Sequence, residues 1–336
     1  MQDPEIQLRE PADSGDIDRL QHRSGGGLRH LLTLKSLDRG TLSALLDRAQ
    51  QYISPVGTPP VRNRKLAGRT VANLFFEPST RTRASFELAA KRLGADVLNL
   101  DVNMSSRKKG ESILDTIYTL QAMQVDVFVV RDASAGVPAY IARHVMDHVS
   151  VLNAGEANAS HPTQGLLDLL TIRQCKGEFQ DLTVAIVGDI AHSRVARSAA
   201  EGLLTMGIRE LRLVAPRSLA PPEDEFPDAC IVSNLDEGLD GADVVMALRI
   251  QRERIGSLED IPGIDEYFAT FGISEKRMAI AAPDAIVMHP GPMNRGIEIE
   301  SSLADGPRSV ITRQVTNGLA VRMAILEEVM RAGASS

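Results

Sequence analysis

Hydrophobic positions in this chain fall into short blocks whose period keeps switching. "LRHLLTLKSLDRGTLSALLDRAQQYI" follows a helical pattern, with Leu42, Leu45, Leu46 and Ala49 on one face. "TVANLFFEP" then reads as a buried strand, and residues 80–93 as a helix closed by Gly94. "DVLNLD" is a strand, "ESILDTIYTLQAM" a helix and "VDVFVVRD" a strand; a helix follows over residues 137–148, then the strand "SVLNAG". The alternation restarts after His161 with the helix "HPTQGLLDLLTIRQ", the strand "LTVAIVGD" and the helix "SRVARSAAEGLLTMG". "LRLVAP", "ADVVMALR" and "AIVMHPG" are further strands, and "NGLAVRMAILEEVMRAG" is a closing helix. Strands alternating with helices predict parallel βαβ units. The expected fold is α/β: two doubly wound parallel-sheet domains with the active site in the cleft between them. The expected boundaries are a flexible N-terminal arm over 1–27, a first domain over 28–160 and a second over 161–316. The closing helix, 317–333, is expected to pack back on the first domain.

Composition narrows the class. The chain has 336 residues, and 43% of them are hydrophobic, enough to fill two ordinary cores. Lys+Arg 37 against Asp+Glu 44 gives a net charge of −7, which argues against nucleic acid as a partner. Cys175 and Cys230 form neither a disulfide framework nor a CxxC motif. No apolar run approaches the ~20 residues of a membrane span. The N-terminus "MQDPEIQLREPADSGD" lacks the apolar core of a secretory signal, so a cytoplasmic, membrane-free protein is expected.

Candidate chemistry gathers where strands end, after Phe76, Val130, Gly188, Leu248 and Met288. In "FFEPSTRTRASFE", Pro78 fixes a turn and Ser79 or Thr80 can cap a helix. The unpaired N–H groups of the first helical turn, the hydroxyls and the Arg81 fork make an anion site of phosphate or carboxylate size. The bland alternative is a helix start with solvated arginines. Glu77 is expected to fix the turn, and Arg83 to serve packing or an ion pair. A second strand–turn–helix, "VAIVGDIAHSRVARS", lacks G-x-G-x-x-G, and no acidic residue ends the next strand. There is no GK[ST] either, so dinucleotide and triphosphate chemistry are disfavoured and Arg194 points to a second anion. His192 reads as an exposed loop histidine, His289 as support for its proline loop, and Arg295 as paired with an acidic neighbour such as Glu298. His144 and His148 are four apart, but no HExxH or third ligand accompanies them, so no metal is expected.

Taken in order, "FFEPSTRTRASFE", "KKGES", "HPTQGLLDLLTI", "LRIQRER" and "HPGPMNRG" resemble the aspartate/ornithine carbamoyltransferase family over about residues 28–333. The last two motifs resemble its aspartate branch, since an ornithine enzyme would carry HCLP where Pro290 stands. The resemblance implies transfer of the carbamoyl group of carbamoyl phosphate to the amine of L-aspartate, with no cofactor. The alternatives are another amine acceptor such as ornithine, or an inactive scaffold. By resemblance, Ser79, Thr80, Arg81 and Thr82 hold the phosphate. Thr82, Arg131 and His161 form the oxyanion hole. Gln164 and the Pro290 carbonyl orient the carbamoyl NH₂, and the Gly291 carbonyl faces the aspartate amine. Arg194, Arg249 and Gln251 bind the carboxylates of aspartate. Ser105 and Lys109, in "SSRKKGES", come from a neighbouring subunit, and Lys109 contacts both substrates. This implies a homotrimer with shared active sites, on which regulatory or dihydroorotase-type chains could build a dodecamer. The arm 1–27 is expected either to be disordered or to dock such a partner.

Overall fold

The computed structural model describes residues 14–100, 112–251 and 263–331. By internal contacts the chain divides into two compact units: residues 1–166 with 316–336, and residues 167–315.

Unit 1 begins with a helix, α1 (Ser14–Gln21), within the segment expected to be a flexible arm. From Ser14 onward that expectation fails, for physical reasons. Ile17 and Leu20 pack on the core, and Arg143 pairs with Asp16. Gln21 is fully buried; its Oε1 accepts from the N–H groups of Leu32 and Thr33, and its Nε2 donates to Ser36 Oγ at 2.7 Å. The next stretch also departs from expectation. Helix α2 covers only Arg39–Gln50, started by Asp38, whose side chain accepts from Thr41 N. Residues 28–37 instead lie partly alongside the sheet, with Leu31 bridged to Leu152 in parallel. Leu28, Leu31, Leu32, Leu34 and Leu37 are all buried. A leucine-dense run can bury both faces in extended form, and beside an open sheet edge that outcompetes a helix.

The remaining elements of unit 1 alternate as the pattern predicts: β1 (Thr70–Phe75), α3 (Thr80–Arg92), β2 (Asp96–Leu100), α4 (Ile113–Ala122), β3 (Val127–Asp132), α5 (Val137–His144) and β4 (Ser150–Glu156). All pairings are parallel, in the order β2-β1-β3-β4. Because α5 stops at His144, His148 lies beyond it and the two histidines do not share a helix face. Helix α6 (Pro162–Lys176) leads into unit 2.

Unit 2 holds β5 (Thr183–Val187), α7 (Arg194–Met206), β6 (Glu210–Val214), β7 (Cys230–Val232), α8 (Leu235–Leu239), β8 (Val244–Ala247), α9 (Ile264–Phe271), β9 (Ile286–Met288) and α10 (Ser301–Ala304). Its parallel order is β7-β6-β5-β8-β9. The three-residue β7 was not read from the sequence, because an edge strand that is mostly exposed leaves little apolar signature. Helix α11 (Ile311–Arg331) returns the chain to unit 1. There Glu327 meets Arg48, Lys65 and the Tyr52 hydroxyl.

Two features give tests. His30 is buried and its Nδ1 accepts from Val151 N at 2.8 Å. Burial, and then the charges of Arg29 and Arg23, push its pKa from 6.5 to about 3. The unfolded chain therefore takes up a proton here that the folded chain refuses. The stability from the neutral ring is complete above the unfolded pKa and falls away as pH drops toward the folded one. Denaturant titrations should lose up to about 1.4 kcal/mol per pH unit from this ring between about pH 6 and pH 4. His30→Gln should flatten that slope by about one proton. At Gly188, φ is +131°, and a Cβ would lie 2.6 Å from the Leu248 carbonyl oxygen. Gly188→Ala should cost roughly 1–3 kcal/mol in the same measurement; unchanged stability would contradict the close approach.

Candidate active site

In a parallel sheet the loops leave from strand C-terminal ends, and a crevice opens where the strand order reverses. In unit 1 that point lies between β1 and β3. β1 delivers the turn carrying Glu77, Ser79 and Thr80, and β3 delivers Arg131. Register sets the two side by side: Phe75 pairs with Arg131, and Phe76 N donates to Arg131 O at 2.8 Å. Ser79 is the N-cap residue of α3, with extended backbone, but its side chain makes no capping hydrogen bond. Its hydroxyl is therefore not committed to the helix. The first turn of α3 contains no acidic residue, so nothing there opposes an anion. Thr80, Arg81 and Arg83 are exposed, Ser79 is half-buried and Thr82 is buried.

Arg131 is held from two sides. Its Nη2 lies 2.7 Å from Glu77 Oε1, and its Nη1 donates to Ala154 O at 3.3 Å. Glu77 thus does more than shape the turn: it aims the guanidinium. His161 and Gln164 follow β4 and are buried. His161 opens α6, its carbonyl accepting from Gln164 N at 2.9 Å and Gly165 N at 3.2 Å. Upstream, the Glu156 carboxylate accepts from Gly136 N and Asn153 Nδ2, which braces the loop leading to His161.

In unit 2 the order reverses between β5 and β8. Gly188 and Asp189 follow β5, while Arg249 and Gln251 follow β8. Asp189 is fully buried. Its Oδ1 accepts from His192 N at 3.2 Å and His192 Nδ1 at 2.8 Å, and its Oδ2 accepts from Gln251 N at 3.1 Å. Gln251 Nε2 returns a bond to His192 O at 3.0 Å. One carboxylate therefore ties the two loops that flank the crevice. His192 is half-buried in this network, not an exposed loop residue as expected. The sequence signal for Asp189 was an acid directly after the strand-ending glycine. Arg194 is buried at the start of α7, where the Ser193 side chain caps Ala196 N. Arg249 is half-buried.

The loop after β9 carries Pro290 and Gly291. Gly291 has φ +63°, and the Gly291-Pro292 bond is cis. Arg295 pairs with Asp305 through Nη1 at 2.6 Å and Nη2 at 2.7 Å, and not with Glu298 as expected. Glu298 points inward to His289 instead. The buried Tyr267 hydroxyl is pushed up in pKa by burial and then by the Glu298 and Asp189 carboxylates.

The anticipated residues thus form two sets. Ser79, Thr80, Arg81, Thr82, Arg131, His161 and Gln164 belong to unit 1; Arg194, Arg249, Gln251, Pro290 and Gly291 belong to unit 2. Ser105 and Lys109 lie outside the described residues. Among the described residues, no group of three or more His, Cys, Asp or Glu side chains could hold a metal ion. No described helix is long and apolar enough to cross a membrane.

Comparison with known proteins identifies this arrangement. Residues 29–174 match the carbamoyl-P binding domain of aspartate/ornithine carbamoyltransferase, and residues 180–329 match its Asp/Orn binding domain. Aspartate transcarbamoylase from Trypanosoma cruzi, solved with carbamoyl phosphate and aspartate, is 33% identical with a TM-score of 0.80, covering 89% of this chain and 96% of that one. The same enzyme with N-(phosphonacetyl)-L-aspartic acid gives 33% identity and a TM-score of 0.79, over 89% and 95%. Ornithine carbamoyltransferase from Thermus thermophilus is 26% identical, with a TM-score of 0.78 over 90% and 99%. With both domain models matched in order along nearly its whole length, the chain belongs to the aspartate/ornithine carbamoyltransferase family.

Proposed function

We infer that the chain transfers the carbamoyl group of carbamoyl phosphate to the amine of L-aspartate, giving N-carbamoyl-L-aspartate and phosphate, within pyrimidine synthesis. The observation that carries the acceptor is the pair Arg194 and Arg249, with Gln251, on the loops flanking the unit 2 crevice. Two guanidiniums suit a dicarboxylate, whereas the cationic side chain of ornithine would be repelled there. The greater identity to the aspartate enzyme, 33% against 26%, supports the same choice.

The reaction needs both sets of residues to serve one pair of reactants. Ser79, Thr80, Arg81 and Thr82, with the first N–H groups of α3, take the phosphate. Thr82, Arg131 and His161 donate to the carbonyl oxygen as it gains charge. Losing one such donor typically costs about 10²–10³ in kcat. Gln164 and the Pro290 carbonyl fix the carbamoyl NH₂, which leaves the carbon open to attack. The amine attacks in neutral form, the C–O bond to phosphate breaks, and the departing phosphate takes the proton. Orientation and fixed donors supply the acceleration. Ser105 and Lys109 complete the site from a neighbouring subunit in a cytoplasmic homotrimer. The segment before α1 is a candidate for docking regulatory or dihydroorotase-type chains.

Purified protein given carbamoyl phosphate should form carbamoyl aspartate with aspartate and be idle with ornithine; turnover with ornithine alone would overturn the assignment. Arg249→Ala should raise the KM for aspartate roughly 10–100-fold and leave carbamoyl phosphate binding nearly unchanged. Arg81→Ala should do the reverse, as read by equilibrium binding of each ligand. Native mass measurement should give a trimer.

A further inference from the structure

We propose that His289 and Glu298 form a buried positioning pair which, through one tautomer of the His289 ring, aims the Pro290 carbonyl. The inference deepens the reading above and rests on it for the identity of the substrate. His289 and Glu298 are each 1% exposed. The Gly291 N–H meets His289 Nδ1 at 2.8 Å. A main-chain N–H can only donate, so Nδ1 is the acceptor and the ring proton resides on Nε2. Nε2 lies 3.1 Å from Glu298 Oε1, which accepts that proton's hydrogen bond. The same carboxylate oxygen accepts from Asn294 N. At the start of the loop, His289 N donates to Gln314 Oε1 at 2.9 Å, and Gln314 Nε2 donates to Asp168 Oδ1 at 2.8 Å.

Pro290 and Pro292 have no N–H, so this loop cannot secure itself with a backbone ladder. It is hung instead from side chains at three main-chain N–H groups, those of His289, Gly291 and Asn294. The Gly291 bond matters most for chemistry. A trans peptide is planar, and its C=O and N–H point in opposite directions. Holding the Gly291 N–H against His289 therefore turns the Pro290 C=O away from the ring, as an acceptor free to meet an amide. Glu298 keeps the proton on the far nitrogen, without which Nδ1 could not accept. His289 is thus a positioning residue that does not touch substrate, and Glu298 acts through it.

The test compares two isosteric half-replacements. Asparagine places an oxygen near the Nδ1 position, whereas glutamine reaches toward Nε2 and leaves Gly291 N–H without its acceptor. His289→Gln should lose about tenfold more kcat than His289→Asn, with smaller changes in KM for either substrate and similar melting temperatures. Equal losses, or a greater loss in His289→Asn, would overturn the proposal. Nitrogen NMR of the wild-type ring, assigned by its loss in either variant or by through-bond correlation, should report a neutral ring protonated at Nε2. A charged ring, or one protonated at Nδ1, would equally overturn it. Wild-type turnover of aspartate tests the functional reading separately, and the ring signal decides the tautomer even if that reading fails or a variant does not fold.

Discussion

A right-handed crossover carries the chain to one fixed side of a parallel strand, so a sheet that grows in both directions must have one place where neighbouring loops part. Each unit has such a place, β1 beside β3 in one and β5 beside β8 in the other. Much of the chain's candidate chemistry follows from this, while His161 and Gln164 come after β4 and Pro290 and Gly291 after β9, at the edges of the two sheets. The phosphate-sized turn and Arg131 come from the first pair of strands, and Arg194, Arg249 and Gln251 from the second. Gly188 is needed because the Leu248 carbonyl already occupies the room a side chain would take.

A second regularity concerns the acids. Glu77 holds a guanidinium, Asp189 holds two loops together, and Glu298 holds an imidazole. None is suited to bind an anionic substrate. Each fixes the direction of a neighbouring polar group before any ligand arrives, which is the expense an enzyme meets in advance when it relies on preorganised dipoles. Burial strengthens these bonds and also makes a mispaired carboxylate costly, so the groups they hold are stiffly aimed.

The alternating elements were legible because strands buried on both faces read as apolar runs and the helices between them are amphipathic. The anion turn was legible because Ser79 to Thr82 concentrate hydroxyls and a guanidinium just after Phe76. What was not legible depends on partners far away in the sequence. Leu28 to Leu37 have a spacing compatible with a helix, and only the open side of β4 decides otherwise. Arg295 and Glu298 are close enough in sequence to suggest an ion pair, yet Asp305 takes the first and His289 the second. The arm looked unstructured because its charged residues hide two apolar ones, Ile17 and Leu20, that pack on the core, and an amide, Gln21, that adds three hydrogen bonds.

That amide bears on how the protein can be handled. Gln21 reaches three groups between Leu32 and Ser36, so α1 acts as a clasp over the first leucine-rich segment. Trimming the chain back to the triple glycine would take away the acceptor that the Leu32 and Thr33 N–H groups share and the donor that meets Ser36, and with them the pins that hold this run of chain in its extended form.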